Sequence, residues 1–230
     1  MNPILKHALI TAGVLAVFTV VGTALLSGTF EKTREPIAQS EKEAKRNLLS
    51  QVVPPAMHDN DLLQDTVQLP PSELLGQAAA STAYRAWLNG KPSAVILEAI
   101  APDGYSGEIK LLVGIGAEGA LTGVRVLTHK ETPGLGDYID IAHSDWIKNF
   151  DGKSLAKEGG ENSRPGALPD EAWKVKKDGG KFDYMTGATI SPRAVVKAVH
   201  KALVFFNQSR DTIFPDGDQQ ASSEETKEQR

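Results

Sequence analysis

The sequence predicts an α+β fold: an N-terminal transmembrane helix and helical stalk, then a domain with an antiparallel sheet flanked by helices. Three observations predict this order. A long uncharged apolar run lies near the N-terminus, and several short segments of alternating polarity with turn signals occupy the middle of the chain. A segment with helical apolar spacing then follows a small-residue turn near the C-terminal end.

The first predicted element is a membrane anchor at residues 8–30. No residue from Ala8 to Phe30 is charged, and these 23 positions, at about 1.5 Å per helical residue, span a hydrocarbon core of about 30 Å. A cleaved signal peptide would have a shorter apolar region, of about 7–15 residues. Residues 1–7 include Lys6, and a short basic N-terminus before a long domain favours a cytoplasmic N-terminus with the remainder outside. We therefore expect a single-pass inner-membrane protein with its main domain in the periplasm.

Residues 31–53 are predicted to form a helical stalk. They are rich in Glu, Lys, Gln and Ala, which favour helices, and Pro54-Pro55 should end the helix. The segment suits either a solvated spacer or a docking helix for a partner subunit.

The sheet is predicted from turn signals and alternation between residues 84 and 126. Tyr84–Leu88 and Ala94–Ile100 flank Asn89-Gly90, a strong hairpin signal. Apolar residues alternate from Ile109 to Ile115, as in a half-buried strand, and a further strand is expected at 124–126. Short turns without crossover helices predict antiparallel pairing.

The C-terminal half is predicted to contain two helices. One is expected over Ile139–Phe150, before a Gly- and Pro-rich loop at 156–170, and the other runs from Pro192 to Asn207 with Ser191 as its N-cap. This assigns the globular domain to residues 54–208. The polar tail at 209–230 is expected to be disordered.

Composition limits the chemistry that the chain can perform. It contains no cysteine, which excludes disulfides, thiolate-bound iron–sulfur clusters and attached c-type haem. Its five histidines lie far apart and form no metal-like pair, so any electron chemistry here needs an organic cofactor. The net charge of −4, with scattered Lys and Arg, gives no indication of nucleic-acid binding.

The most informative stretch runs from Asp183 to Ser191. The small-residue turn Gly187-Ala188 should deliver the Thr189 hydroxyl to a helix N-terminus, where free N–H groups and the positive end of the dipole favour a phosphate. Such a hydroxyl could be a phosphate ligand, a nucleophile, or the atom to which a phosphate is esterified. An ordinary capped helix after a turn is the simplest interpretation of the local pattern. A hydrolase nucleophile would also need a base, and no histidine lies close in the sequence.

The tetrapeptide Thr186-Gly187-Ala188-Thr189 resembles the flavinylation motif of proteins that carry FMN through a phosphoester to threonine. Four other stretches resemble the G subunit of the Rnf (Rsx) electron transport complex, and more distantly the C subunit of the sodium-translocating NADH:quinone reductase: Ala101–Glu108, Glu131–Asp137, Ser144–Ile147 and Val175–Gly180. The resemblance covers about Leu5 to Asn207. It implies an FMN-binding domain.

The resemblance also implies the cofactor site. FMN would be attached through its phosphate to Thr189, within the motif formed by Thr186, Gly187 and Ala188. The family pattern assigns flavin contacts to Glu131, Thr132 and Leu135, and it places the stretch 101–107 near the cofactor. No residue is assigned a catalytic role, and no metal is implied.

Four further side chains have two interpretations each. His129 could hydrogen-bond the flavin or be a half-exposed residue at a strand end. Asp183 resembles part of the signal read by a flavin transferase, and its carboxylate could also hold an Asx turn. Lys176 and Lys177 could meet a phosphate or remain solvated.

The implied function is an electron relay. The chain would carry FMN in a membrane complex that resembles a ferredoxin:NAD oxidoreductase coupled to ion translocation. Its partners would be the other subunits of that complex, the membrane, and a flavin transferase during maturation. The alternative is a membrane-tethered periplasmic binding module for an anionic ligand, without a redox role.

Overall fold

The computed structural model describes residues 3–156 and 165–215. By its internal contacts the chain divides into two compact units, with the boundary after Arg46. The described residues of the first unit are helical, and the second unit contains the sheet and all of the predicted site residues.

Helix α1 runs from Pro3–Val52, so the predicted anchor and stalk form one continuous helix that ends before Pro54-Pro55. It is long and apolar enough to cross a membrane. Hydroxyls within it bond to carbonyls one turn earlier, as Thr19 does to Leu15 at 2.8 Å and Thr29 does to Leu25 at 2.8 Å. Such bonds satisfy polar side chains where water is scarce.

The second unit is built on a five-stranded antiparallel sheet whose spatial order follows the sequence. Its strands are β1 (Thr66–Leu69), β2 (Ser81–Leu88), β3 (Lys91–Ala101), β4 (Ile109–Gly116) and β5 (Leu121–Thr128). The sequence prediction of an α+β fold with an antiparallel sheet is confirmed, although it missed β1.

The predicted hairpin forms between β2 and β3. Asn89 and Gly90 both have positive φ, 53° and 72°, which is the backbone required by the commonest two-residue hairpin turn. Alternate residues of β3 then face opposite sides of the sheet. Val95, Leu97 and Ala99 belong to the larger core, which lies under the second helix, whereas Ala94 and Ile96 belong to a smaller one.

The smaller core corrects the predicted start of the domain at residue 54. Leu49, Val52 and Val53 are buried in it, so the domain begins within the last turns of α1. Two glycines that face each other on β4 and β5, Gly114 and Gly123, allow this approach. A Cβ at Gly114 would lie 2.5 Å from Val52 Cγ1 and 2.9 Å from the Val52 carbonyl oxygen, so a larger residue here would displace the end of α1. Strand β4 is therefore buried on both faces, not half-buried as its alternation predicted.

The segment after β5 corrects the predicted helix over Ile139–Phe150. Two short 3-10 helices form instead, Gly136–Ile139 and Asp145–Phe150, the second capped by the Ser144 hydroxyl accepting from Trp146 N at 3.1 Å. The expected loop at 156–170 is only partly described. Short strands β6 (Ser154–Leu155) and β7 (Ala167–Leu168) pair in parallel beside it, and residues 157–164 lie outside the described residues.

Helix α2 spans Ile190–Ile213, beginning before the predicted Pro192 and continuing past the predicted Asn207. Ile213 and Phe214 are buried, and Phe214 meets the Trp87 ring edge-to-face at 5.7 Å. The predicted tail therefore begins too early at 209, because these two apolar residues fix the helix end on the domain. Residues 216–230 lie outside the described residues.

Candidate functional site

A cleft of about 190 Å³ lies at the N-terminal end of α2. Three loops reach it: the turn between β3 and β4, the loop after β5, and the loop before α2. The residues that line it are Tyr105, Glu131, Thr132, Leu135, Gly136, Gly187, Ala188, Thr189, Ile190 and Ser191. The structure thus brings together all of the predicted cofactor-binding residues except Thr186.

Thr189 lies at the junction between a tight turn and the helix. Ala188 N donates to the Met185 carbonyl at 3.0 Å to close the turn, and Gly187, at φ 89°, has the left-handed backbone that favours glycine. Thr189 follows at the N-cap position with 8% of its surface exposed, and its carbonyl accepts from Arg193 N. The residue therefore stands at the positive end of the α2 dipole, where an anion is stabilised.

Ser191 does not cap the helix, which corrects the sequence prediction. It lies in the first turn of α2, is buried, and donates its hydroxyl to Glu131 Oε2 at 2.6 Å. A hydroxyl–carboxylate bond is charge-assisted and stronger than a bond to a backbone N–H. The Ser191 hydroxyl, which the sequence pattern predicted to cap the helix, is therefore bonded to the buried carboxylate instead.

Glu131 connects the loop after β5 to the turn between β3 and β4 and to the first turn of α2. It is only 5% exposed, and its other oxygen, Oε1, accepts from Ser106 N at 3.2 Å. Gly136 gives it room, since a Cβ there would lie 2.7 Å from Oε2. A buried carboxylate without partners would be costly, so these bonds hold the loops around the cleft in one arrangement.

The rim of the cleft is apolar and exposed. Tyr105 is 69% exposed and Leu135 is 50% exposed, and Ile190 is also accessible. Glu131 is the one charged residue among the described residues that line the cleft. Exposed large apolar side chains around a concave site are typical of a surface that a ligand or a partner covers. A flat, largely apolar ring fits this lining, and the helix N-terminus fits a phosphate.

The other side chains that the sequence singled out lie outside the cleft lining. Thr186 is an exposed residue of the turn. His129 Nδ1 accepts from Glu131 N at 3.1 Å, and its Nε2 lies 3.8 Å from Asp140 Oδ2. Its side chain therefore contacts the loop after β5 from outside the cleft lining. Lys176 forms an ion pair with Asp183, while Lys177 is exposed.

Tyr105 and Ile190 line the cleft, but sequence reasoning assigned a contact to neither. The family pattern marked the stretch around Tyr105, 101–107, as close to the cofactor, but no local signal distinguishes an exposed tyrosine in a turn from a ligand contact. The structure places Tyr105 at the cleft because the neighbouring Ser106 N donates to Glu131 Oε1 and holds this turn against the loop after β5. Among the described residues, no group of His, Asp and Glu side chains could hold a metal ion.

Comparisons with known proteins agree with this geometry. A family model described as FMN-binding domain matches residues 104–204, which include every residue lining the cleft, and a model of the RnfG N-terminal region matches residues 1–52.

Relatives that match over most of their length are G subunits of ion-translocating oxidoreductase complexes. The protein from Pseudomonas aeruginosa (strain UCBPP-PA14) is 48% identical over 91% of this chain and 91% of its own length. The protein from Shewanella baltica (strain OS223) is 44% identical over 93% of this chain and 94% of its own length. The protein from Aliivibrio fischeri (strain MJ11) is 46% identical over 87% of this chain and 90% of its own length. The resemblance found in the sequence is confirmed, and the chain belongs to the family of G subunits of ion-translocating oxidoreductase complexes.

Proposed function

We propose that this chain is an FMN-carrying electron relay of an ion-translocating oxidoreductase complex, with FMN joined through its phosphate to Thr189 Oγ1. The observation that carries the proposal is the position of Thr189. It lies in the FMN-binding family region, lines an apolar-rimmed cleft and stands at the N-terminus of a long helix. Bound FMN would supply reversible electron transfer, and the protein would supply its tether and its electrostatic surroundings.

Different residues of the cleft would contact different parts of the cofactor. Leu135 and Tyr105 offer apolar surface for the ring, while Thr132 offers a polar edge. Glu131 fixes the loops through its bonds to Ser106 N and the Ser191 hydroxyl, and its buried carboxylate would lie close to a ring bound in the cleft. Since the described lining contains no lysine or arginine, the phosphate would depend on the α2 dipole and on the covalent bond.

Attachment requires an activated phosphoryl donor, because a free phosphate and a hydroxyl do not condense in water. The pyrophosphate of FAD is such a donor. Thr189 Oγ1 would bond to the FMN phosphorus, the pyrophosphate P–O bond would break, AMP would leave with the electron pair, and the hydroxyl proton would pass to solvent. A flavin transferase would catalyse this exchange.

The membrane arrangement completes the proposal. The apolar part of α1 would anchor the chain in the inner membrane, with residues 1–7 cytoplasmic and the domain that follows in the periplasm. There the chain would meet the other subunits of its complex, and electron transfer through it would be coupled to ion translocation.

The test uses the full chain produced with an active flavin transferase, then denatured and digested. We expect yellow protein after denaturation and one flavin-bearing peptide whose added mass is FMN less one water, located at Thr189. Thr189→Val keeps the side-chain shape but removes the oxygen, so it should fold and carry no flavin. Thr186→Val is the matched control and should keep any adduct at Thr189.

The outcomes separate the candidates. A flavin-bearing peptide from the Thr189→Val protein would overturn the site. A colourless wild type that releases a bound anion on denaturation would instead favour the binding module without a redox role.

A further inference from the structure

Most residues of the loop that precedes Thr189 are exposed to solvent. We call residues 183–189 the threonine loop. Asp183, Met185, Thr186 and Gly187 are exposed, and the ion pair between Asp183 and Lys176 lies at the surface. Exposed ion pairs contribute little to stability, and small exposed side chains cannot anchor a loop by packing. Tyr184 and Ala188 are half-buried against the core and Thr189 is buried, so the two sides of the loop have packing support. The exposed stretch between them, Met185–Gly187, has none and depends on hydrogen bonds to the backbone of the turn.

One tyrosine hydroxyl makes two of those contacts. The Tyr138 hydroxyl accepts from Met185 N at 3.0 Å and lies 3.2 Å from the Ala188 carbonyl, to which it donates. Met185 and Ala188 are the first and last residues of the turn that contains Gly187. The hydroxyl thus bridges both ends of the turn, and Ala188 directly precedes Thr189.

A chain of aromatic rings fixes Tyr138 itself. Its ring meets Trp146 edge-to-face at 5.7 Å, and Trp146 meets Phe150 in the same way at 5.5 Å. Phe150 is fully buried and stacks on Phe182, which directly precedes the threonine loop. The Trp146 Nε1–H also donates to the Asp183 carbonyl at 2.8 Å. Two 3-10 helices of the core therefore hold both ends of the loop.

We propose that Tyr138 is a positioning residue for flavin attachment, whose hydroxyl holds the Met185–Ala188 turn so that Thr189 is presented at the cleft, with Trp146 supporting the start of the loop. The proposal rests on the proposed function. Nucleophilic attack is sensitive to small displacements, because reacting atoms must meet at about 3–3.5 Å in an aligned geometry. A turn that is held at both ends keeps that geometry available without further ordering.

The protonation state of Tyr138 supports this role. Burial raises the pKa of its phenol above the ordinary value, although the hydrogen bond from the Met185 backbone opposes part of that shift. The hydroxyl therefore stays protonated across the physiological range and remains a donor to the Ala188 carbonyl.

The test compares two Tyr→Phe variants of the full chain. Tyr138→Phe removes the hydroxyl and keeps the ring on Trp146. Tyr84→Phe is the matched control, since the Tyr84 hydroxyl donates to Glu98 Oε1 at 3.0 Å from a buried position in the smaller core. Initial rates of flavin attachment are measured by peptide mass, with purified flavin transferase and FAD as donor, over a range of chain concentrations.

We expect Tyr138→Phe to lower the maximal rate of attachment about tenfold, with little change in the chain concentration at half-maximal rate. Tyr84→Phe should match the wild type. Loss of stability alone would not lower the maximal rate while leaving the half-maximal concentration unchanged. A variant that stays folded at the assay temperature still offers nearly all of its molecules to the transferase as folded substrate. Thermal unfolding of both variants checks that condition.

Trp146→Phe is a second, independent variant that removes the Nε1–H donor to the loop and keeps an aromatic ring, and we expect a smaller decrease of the same kind. Attachment to Tyr138→Phe at the wild-type maximal rate would overturn the proposal, as would an equal slowing by Tyr84→Phe. If Tyr138→Phe does not fold, an unaltered maximal rate in Trp146→Phe would overturn it. A wild type that accepts no flavin would refute the proposed function instead, so the two failures are distinguishable.

Discussion

The Ser191 hydroxyl donates to Glu131 Oε2 across 2.6 Å, although the two residues lie 60 positions apart. This bond joins the first turn of α2 to the loop after β5, and the second Glu131 oxygen joins the same loop to Ser106. The cleft is thus organised around a buried carboxylate and not around a cationic phosphate site. Such a charge affects both the rigidity of the loops and the electron affinity of any ring beside it.

Replacing Glu131 with Gln should raise the midpoint potential of the attached flavin by roughly 20–40 mV, equivalent to about 1–2 kcal/mol for a two-electron couple. The reason is that a nearby negative charge disfavours added electrons. Redox titration of the flavinylated full chain measures the shift. Glu98→Gln, which makes the same charge change away from the cleft, is the control. Equal potentials in wild type and Glu131→Gln would contradict a carboxylate close to the ring.

The same variant should also lower the free energy of unfolding by about 1–3 kcal/mol, because an amide offers one acceptor where the carboxylate offers two. If the NH₂ group faced Ser106 N, two donors would meet, and if it faced Ser191, the hydroxyl would accept from it and lose the acceptor for its own proton. Chemical denaturation of the chain without flavin measures this effect separately from the potential.

Much of the fold could be predicted from local pattern. The Asn89-Gly90 turn, the alternation along β4 and the helical spacing in α2 are each determined by neighbours in sequence. The predicted boundaries were wrong where contacts between residues distant in sequence determine where an element begins or ends. Burial of Ile213 and Phe214 extends α2 through polar residues, and Val52 packing on Gly114 moves the domain start into α1.

The candidate site divides in the same way. The position of Thr189 at a helix N-terminus could be predicted, since a Gly-Ala turn and a helical pattern are local features. The role of Ser191 could not, because its partner is a buried carboxylate contributed by another loop. Tyr138 gave no signal for a similar reason: its two partners are backbone atoms of the threonine loop.

The ion pair between Asp178 and Arg193 should give a stability contribution that depends on pH. Arg193 donates to both carboxylate oxygens, at 2.6 and 2.8 Å, and this holds the pKa of Asp178 below its usual value. With a depressed folded-state pKa, the contribution is present above the unfolded pKa, near 3.8, and is lost as pH falls through the folded value. The difference in melting temperature between wild type and Asp178→Asn should therefore be constant near neutral pH and shrink below about pH 4. A difference that grows on acidification would contradict the assignment.

The predicted orientation can be tested with protease on spheroplasts. If residues 1–7 are cytoplasmic, added protease should digest the domain after α1 and leave a small membrane-bound fragment that contains the apolar part of the helix. Spheroplasts that are lysed before treatment, and a cytoplasmic marker protein, control for access. Protection of the whole domain in intact spheroplasts would reverse the orientation.

A charge placed on the apolar rim of the cleft should change the midpoint potential and the fluorescence of the flavin. Leu135 is 50% exposed and lines the cleft, so Leu135→Asp should fold, keep its adduct at Thr189, and lower the flavin midpoint potential by roughly 20–40 mV with altered fluorescence. Leu88→Asp is the matched control, because Leu88 is 37% exposed at the end of β2 and lies outside the cleft lining. Redox titration and flavin emission are compared for the two flavinylated variants. If Leu135→Asp and Leu88→Asp both match the wild type, the ring does not rest on the loop after β5, and that loop is a structural turn.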